Sequence, residues 1–350
     1  MPSSASSRFD VAIIGAGPTG LFAVFELGLL GLNAVLIDTL DKPGGQCAEL
    51  YPEKPIYDIP SWPVISGQEL TDKLMEQIAP FKPEFRLGQQ VSQITRREDG
   101  IFVVETDAGN SLEAGAVFIA AGAGSFTPRK PKLDGLEAYE GRSIFYAVRN
   151  RAEFKGRDIV IAGGGDSALD WTNNLASEAK SLTLVHRSDR FRAAPASVAK
   201  MRELESAGKV RFVQGDLSAL EGEAGRLSTI RIKAGTETVT VPAERLLAFY
   251  GLNIELGPIG DWGLDLAEGK QIRVDTEKFQ TSTPGVFAIG DINYYPGKLK
   301  LILSGFHEAA LASHAAFKVV RPDEKLRFQY TTSSTELQQR LQVSTKAEAA

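Results

Sequence analysis

A tight glycine turn that joins an apolar strand to the start of a helix occurs twice in this chain. The first is Gly15-Ala16-Gly17-Pro18-Thr19-Gly20, placed after the apolar residues 9–14 and before a helix-like stretch at 21–30. The second is Gly163-Gly164-Gly165-Asp166-Ser167-Ala168, placed after 158–162 and before 169–176. In that strand-turn-helix setting the first glycine permits the turn, the second lets backbone approach a pyrophosphate, and the third position allows close helix-strand packing. A helix N-terminus offers unpaired N–H groups and a favourable dipole to such an anion. Two copies in one chain indicate two dinucleotides that exchange electrons.

With 350 residues the chain has room for about two domains with separate cores. Its 43% hydrophobic and 24% charged content is that of a water-soluble globular protein. A net charge of −5 argues against nonspecific nucleic-acid binding, which draws its affinity from neutralised phosphates. No apolar run reaches the roughly 18 residues that a membrane span needs. The single cysteine, Cys47, excludes an intrachain disulfide and suits a reducing compartment. The start of the chain lacks secretory-signal features, so a cytoplasmic location is expected.

The first glycine turn is followed by a second strand, 34–37, that ends at Asp38, whose carboxylate can accept hydrogen bonds from a ribose diol. A Pro- and Gly-rich segment, 43–63, is expected to be a loop draped over a ligand rather than a regular element. Helical spacing is evident at 66–81, and a long helix is predicted over 303–319. The second turn leads to a strand at 181–185, with further strands expected at 210–213, 229–233 and 246–249. The strand at 285–291 stops at Asp291.

At the second site the strand end reads His186-Arg187, with Arg190 and Arg192 close behind and no ribose-binding carboxylate. A guanidinium holds a 2′-phosphate through charge-assisted, often bidentate hydrogen bonds, which points to NADPH with Arg187 and Arg192 as its readers. FAD at the first site and NADPH at the second imply hydride transfer between nicotinamide and flavin. The expected fold class is α/β, with two Rossmann-like dinucleotide-binding domains. A discontinuous FAD domain, 1–120 and 252–330, would accommodate an inserted NADPH domain, 121–251. A C-terminal extension at 331–350 is expected to lose order in its last dozen residues.

The combination of GAGPTG, Gly44-Gly45-Gln46, GGGDSA, HRSDRFRA and Gly290-Asp291 resembles the thioredoxin-reductase group of flavoproteins. That group's Cys-x-x-Cys would precede the second turn, where this chain reads Phe145-Tyr146-Ala147-Val148-Arg149-Asn150. The disulfide of the glutathione-reductase group would need a partner for Cys47 at position 52, which is Pro52. Finer stretches are similar to the thioredoxin-reductase-like ferredoxin–NADP reductases, the branch without a redox disulfide. They are Tyr51-Pro52-Glu53-Lys54, Ile56-Tyr57-Asp58, Gly165 through Trp171, Leu256-Gly257-Pro258-Ile259 and Trp262-Gly263-Leu264.

The resemblance, which runs over 9–334, implies a homodimer with noncovalent FAD that exchanges electrons between NADPH and ferredoxin or flavodoxin. Carried over by position, the FAD contacts are Thr19, Asp38, Gln46, Tyr51, Val91, Phe126, Asp291 and Thr332. Tyr51 would stack on one flavin face and Tyr330 would cover the other, and these are the two candidate catalytic residues. Such stacking contributes about 0.5 to 1.5 kcal/mol beyond area burial. Two alternatives stay open: an NADPH oxidase or quinone/flavin reductase, and a non-catalytic flavoprotein redox sensor. Two basic clusters could meet an acidic carrier, one at Arg129, Lys130 and Lys132 and the other at Lys298 and Lys300, although each also reads as an ordinary solvated charge run. His307 and His314 lie seven apart on a predicted helix, but no third ligand is in sight for a metal.

Overall fold

The computed structural model describes residues 7–326 and 338–339. In chain order the elements are β1 (Ser7–Ile14), α1 (Pro18–Leu29), β2 (Ala34–Asp38), α2 (Gly45–Glu49), α3 (Gly67–Ile78), β3 (Glu84–Leu87), β4 (Val91–Arg96), β5 (Phe102–Thr106) and β6 (Ser111–Ile119). They continue with β7 (Ile144–Phe145), β8 (Asp158–Ala162), α4 (Asp166–Leu175), β9 (Ser181–His186), α5 (Pro195–Ser206), β10 (Arg211–Gln214), β11 (Asp216–Glu223), β12 (Arg226–Ala234), β13 (Glu237–Pro242) and β14 (Arg245–Ala248). The last of the main elements are β15 (Val286–Ala288) and α6 (Ile302–Val320). The chain divides into two compact units, one comprising the segments up to Ser125 and from Ile254 onward, the other Phe126–Asn253.

In the first unit the sheet order is β3-β2-β1-β6-β5-β4. The long β6 pairs parallel to β1 along its length, antiparallel to β5 through its first half and parallel to β15 through its second. Strands buried on both faces read as unbroken apolar runs, which is what residues 11–14 and 116–119 show. One face, with Val11, Ile13, Leu36 and Phe118, packs on α1, α3 and α6. The other, with Ala12, Ile14, Val35 and Val117, packs on Val104, Leu264 and Ile272.

The second unit is built around a wholly parallel sheet, order β7-β14-β8-β9-β10. Helices α4 and α5 cover the face carrying Ile159, Ile161 and Leu184. The antiparallel sheet β11-β12-β13 covers the face carrying Val160, Val185 and Leu246, through Ile230, Ile232 and Val241. Of that antiparallel sheet the sequence pattern shows only the middle strand, because β11 and β13 are largely exposed and alternate weakly.

The segment 43–63 is more regular than expected. It contains α2 and the short strand Pro55–Ile56, because Cys47 and Ala48 are buried and anchor a helical turn. Helix α3 fixes the stretch of chain between α2 and itself. Its first two amides, Gly67 and Gln68, donate to the carbonyls of Lys54 and Pro52 at 3.2 and 2.8 Å, which ties down the backbone beside Tyr51. The N-terminus of α3 is a reciprocal capping box. The Glu69 amide donates to Ser66 Oγ, and the Ser66 amide donates to the Glu69 carboxylate at 2.8 Å. Replacing Ser66 by Ala removes one of these bonds and lowers unfolding free energy by about 1 kcal/mol, read as a drop in the denaturant midpoint at constant slope.

Candidate functional site

The two glycine turns are wired alike. In the first, the Gly15 amide donates to the Ile37 carbonyl at 2.8 Å and the Ala120 amide to the Ile14 carbonyl at 2.8 Å. In the second, the Gly163 amide donates to the Val185 carbonyl at 3.0 Å and the Phe249 amide to the Ala162 carbonyl at 2.7 Å. Both first glycines have positive φ, +110° and +151°, and a Cβ on either would lie 2.4 or 2.5 Å from a backbone carbonyl oxygen, of Ala120 or Phe249. Nothing but glycine fits there. The third positions are equally close-packed: a Cβ on Gly20 would sit 2.1 Å from the Gly15 carbonyl oxygen, and Ala168 is fully buried.

The second positions behave differently. Gly17 and Gly165 are the N-caps of α1 and α4, and neither helix has a side-chain cap. A Cβ on Gly17 would meet only the Gly45 Cα at 3.9 Å, and one on Gly165 would meet nothing within 4 Å. The protein's own packing does not demand glycine at these caps. Open space before uncapped helix N-termini is what a pyrophosphate needs, so both turns fit a dinucleotide.

A further match lies six residues beyond each strand end. The Gly44 amide donates to the Ala16 carbonyl at 2.8 Å, and the Arg192 amide to the Gly164 carbonyl at 2.7 Å. The strand-end residues themselves part company. Asp38 accepts from the Ala16 amide at 2.6 Å and the Leu40 amide at 2.9 Å, while burial pushes its carboxyl above the usual range. The Thr39 side chain and backbone also hydrogen-bond this carboxylate and, with the two amides, oppose the effect of burial. His186 instead lays its ring on Gly164, where a Cβ would collide with Nε2 at 2.3 Å. Burial, with Arg187 and Arg192 nearby, depresses the His186 pKa and favours the neutral ring.

The exposed side chains of Arg187 and Arg192 therefore flank one glycine turn, and the exposed Asp166 and Ser167 open its helix. Asp166 accepts from the Ala194 amide at 2.9 Å, closing the loop onto α4. Phe191, part of the HRSDRFRA string but given no role by it, secures that loop. Its ring stacks on His186 at 5.4 Å and meets Phe212 edge-on at 5.5 Å, with the Arg202 guanidinium 4.9 Å from the Phe212 centroid.

In the first unit, Tyr51 and Asp291 come within electrostatic reach of each other. The Gln46 amide lies near Gly122, 3.9 Å from where a Cβ there would stand. The Tyr51 hydroxyl is 3.6 Å from Cys47 Sγ, and its pKa is raised by burial, by Cys47 and by the charge of Asp291. Asp291 is raised by burial against the pull of Lys298 and Lys300. Thr19 packs its side chain against Gly290 and Gly305, so its place in the site is shared with helix packing. Val91 is 4% exposed with its side chain in the core, which leaves its main chain as the part able to face a ligand. Phe126 lies on a described strand, but its side chain, like Tyr330 and Thr332 altogether, falls outside the described residues.

Of the basic residues, Lys298 is no docking charge: its side chain is 4% exposed and pairs with the buried Glu308. Lys130 pairs with Glu140 at 2.8 Å, while Arg129, Lys132 and Lys300 are exposed. Among the described residues no acidic, His or Cys cluster could hold a metal, and no helix is long and apolar enough to cross a membrane.

A family model for pyridine nucleotide-disulphide oxidoreductases matches residues 9–316. The chain belongs to this family. It is 60% identical over 335 residues to a ferredoxin–NADP reductase of Mesorhizobium japonicum, covering 95% of this chain and 97% of that protein. It is 58% identical over 336 residues to one of Parvibaculum lavamentivorans, covering 96% and 98%. These relatives put the chain in the thioredoxin-reductase-like ferredoxin–NADP reductase branch of the family. Its fold is similar to that of thioredoxin reductase from T. acidophilum, with a TM-score of 0.74 at 24% identity over 89% of this chain and 99% of that one. The Lactococcus lactis thioredoxin reductase gives a TM-score of 0.73 at 25% identity over the same shares of the two chains. This family member has one cysteine and so no dithiol of its own.

The glycine geometry separates folding from binding. Gly15→Ala forces a Cβ into a carbonyl at positive φ and is expected to abolish soluble protein. Gly17→Ala and Gly165→Ala are expected to keep the parent thermal transition within about 2 °C, yet to weaken dinucleotide binding to the first and second turns respectively. Calorimetry with FAD and with NADP⁺ checks both.

Proposed function

We propose that the chain is an FAD-dependent oxidoreductase that moves electrons between NADPH and ferredoxin or flavodoxin. The observation that carries this is the pair of glycine turns with one backbone wiring and opposite strand-end chemistry, an acid at Asp38 and His186-Arg187 with Arg192 at the other. In this reading the first unit holds FAD and the second NADPH. Gly15, Gly17 and Gly20 cradle the FAD pyrophosphate and Asp38 takes a ribose. Gln46, Tyr51 and Asp291 serve the flavin end, with Val91, Phe126 and Thr332 as further contacts and Tyr330 as the cover of the second face. Gly163, Gly165, Asp166, Ser167 and Ala168 form the NADPH turn. Arg187 and Arg192 bind the 2′-phosphate beside a neutral His186.

Bound FAD supplies the exchange between a two-electron hydride donor and single-electron carriers. The chain's own work is positioning. Uncapped N-termini of α1 and α4 hold two pyrophosphates, and the high pKa of Tyr51 keeps its ring neutral and able to stack. The chain has no dithiol to accept electrons, so an external carrier would have to receive those that bound FAD supplies. That agrees with the relatives named ferredoxin–NADP reductase at 60 and 58% identity. A cytoplasmic homodimer completes the reading.

Steady-state assays test it. NADPH is expected to support rapid reduction of ferredoxin or flavodoxin with little oxygen uptake; a rate unaffected by either carrier but matched by oxygen uptake would replace the reading with an NADPH oxidase. In Arg187→Ala/Arg192→Ala, kcat/KM for NADPH is expected to fall by roughly ten- to a hundred-fold, mostly through KM, while that for NADH stays put.

A further inference from the structure

The first unit contains a buried charged pair that dinucleotide binding does not by itself explain. Glu308 lies on the small-residue face of α6, with Gly305, Ala309 and Ala312, and has no exposed surface. An ion buried alone costs several kcal/mol, so its partners reveal its task. One oxygen accepts from the Gly290 amide at 2.7 Å and from the Asn293 side chain at 2.8 Å. The other accepts from the Tyr295 hydroxyl at 3.0 Å and from the Lys298 ammonium. All four donors come from one short segment, 290–298, and that segment contains Asp291.

The same turn is held from another side. The Gln271 side-chain amide donates to the carbonyls of Asp291 and Asn293 at 3.3 and 2.9 Å. Gly290, at φ +80°, packs where a Cβ would stand 3.1 Å from Thr19 Oγ1, so the turn also rests on the first turn of α1. The carboxylate of Glu308 thus links α6, the Asp291 turn and the helix that opens from the Gly15–Gly20 loop. An apolar pair of similar volume would pack this site as well or better, since buried ion pairs rarely gain net stability. What a charged acceptor adds is a fixed direction for main-chain and side-chain donors.

We propose that Glu308 is a positioning residue for FAD, holding the Asp291 turn in register with the glycine loop, and that Lys298 is its buried counter-ion. The proposal rests on the reading of the first unit as the FAD site. It accounts for a lysine that is withdrawn from solvent next to an exposed Lys300.

The test compares the full-length wild type, Glu308→Gln, and Glu308→Gln/Lys298→Met, which removes both charges together. Three quantities are read: the FAD dissociation constant from flavin fluorescence on dilution of the holoprotein, the shape of the visible flavin band, and the binding of 2′,5′-ADP to the second unit. Glu308→Gln is expected to weaken FAD binding by roughly ten- to a hundred-fold, with an altered flavin band and unchanged 2′,5′-ADP affinity. The double variant is expected to recover the wild-type melting temperature without recovering FAD affinity, and it carries the test if the single variant does not fold. FAD affinity and band shape equal to wild type in either folded variant would overturn the proposal. A wild-type protein that binds no FAD would instead bring down the parent reading, and the wild-type titration tells the two failures apart.

Discussion

Both units depend on one close approach: the first glycine of each turn lies against the carbonyl of a neighbouring strand end, Ala120 in one and Phe249 in the other, with no room for a Cβ. That approach lets β1 and β8 run straight into helices that begin without a side-chain cap. An unpaired, uncapped N-terminus is costly in a folded protein unless something meets it. Here the caps, Gly17 and Gly165, are glycines with open space in front of them. The fold therefore retains two helix starts with open space in front of them, where an anion would fit.

Once the turns are fixed, a single side chain at the end of the next strand differentiates the units. At Asp38 a carboxylate ties itself to the amides of Ala16 and Leu40 beside the glycine loop. At His186 a ring covers the loop glycine, and stacking through Phe191 and Phe212 onto Arg202 stiffens the arginine-bearing loop. The segment six residues on returns to the turn in both units, bringing Gly44, next to Gln46, in one case and Arg192 in the other. Two copies of one backbone device thus offer different chemistry at their strand ends, an acid in one unit and a histidine with two arginines in the other.

Much of this was legible in the sequence, because glycine spacing and strand-end charge are local. The turns, Asp38, His186 and the helices at 67–78 and 302–320 depend on neighbours within a few residues. The features that stay hidden are long-range or concealed by composition. Lys298 and Lys300 look alike in a charge count, yet Glu308 draws one of them into the core. The one available signal was spacing: Glu308 falls three residues after Gly305 and four before Ala312, on the buried face of α6. Phe191 reads as a loop residue until β10 brings Phe212 beside it. The outer strands β11 and β13 carry too few buried side chains for a clear alternation.

Taken together, the two turns are read as serving a flavin and a phosphorylated nicotinamide dinucleotide in one electron path that needs no thiol. The decisive experiment is anaerobic stopped flow, mixing the yellow holoprotein with NADPH or NADH and then adding oxidised ferredoxin. Fast loss of the visible flavin band is expected with NADPH, a much slower loss with NADH, and return of the band on addition of ferredoxin. Equal rates with the two nucleotides, or a bleached band that ferredoxin leaves unchanged, would contradict this electron path.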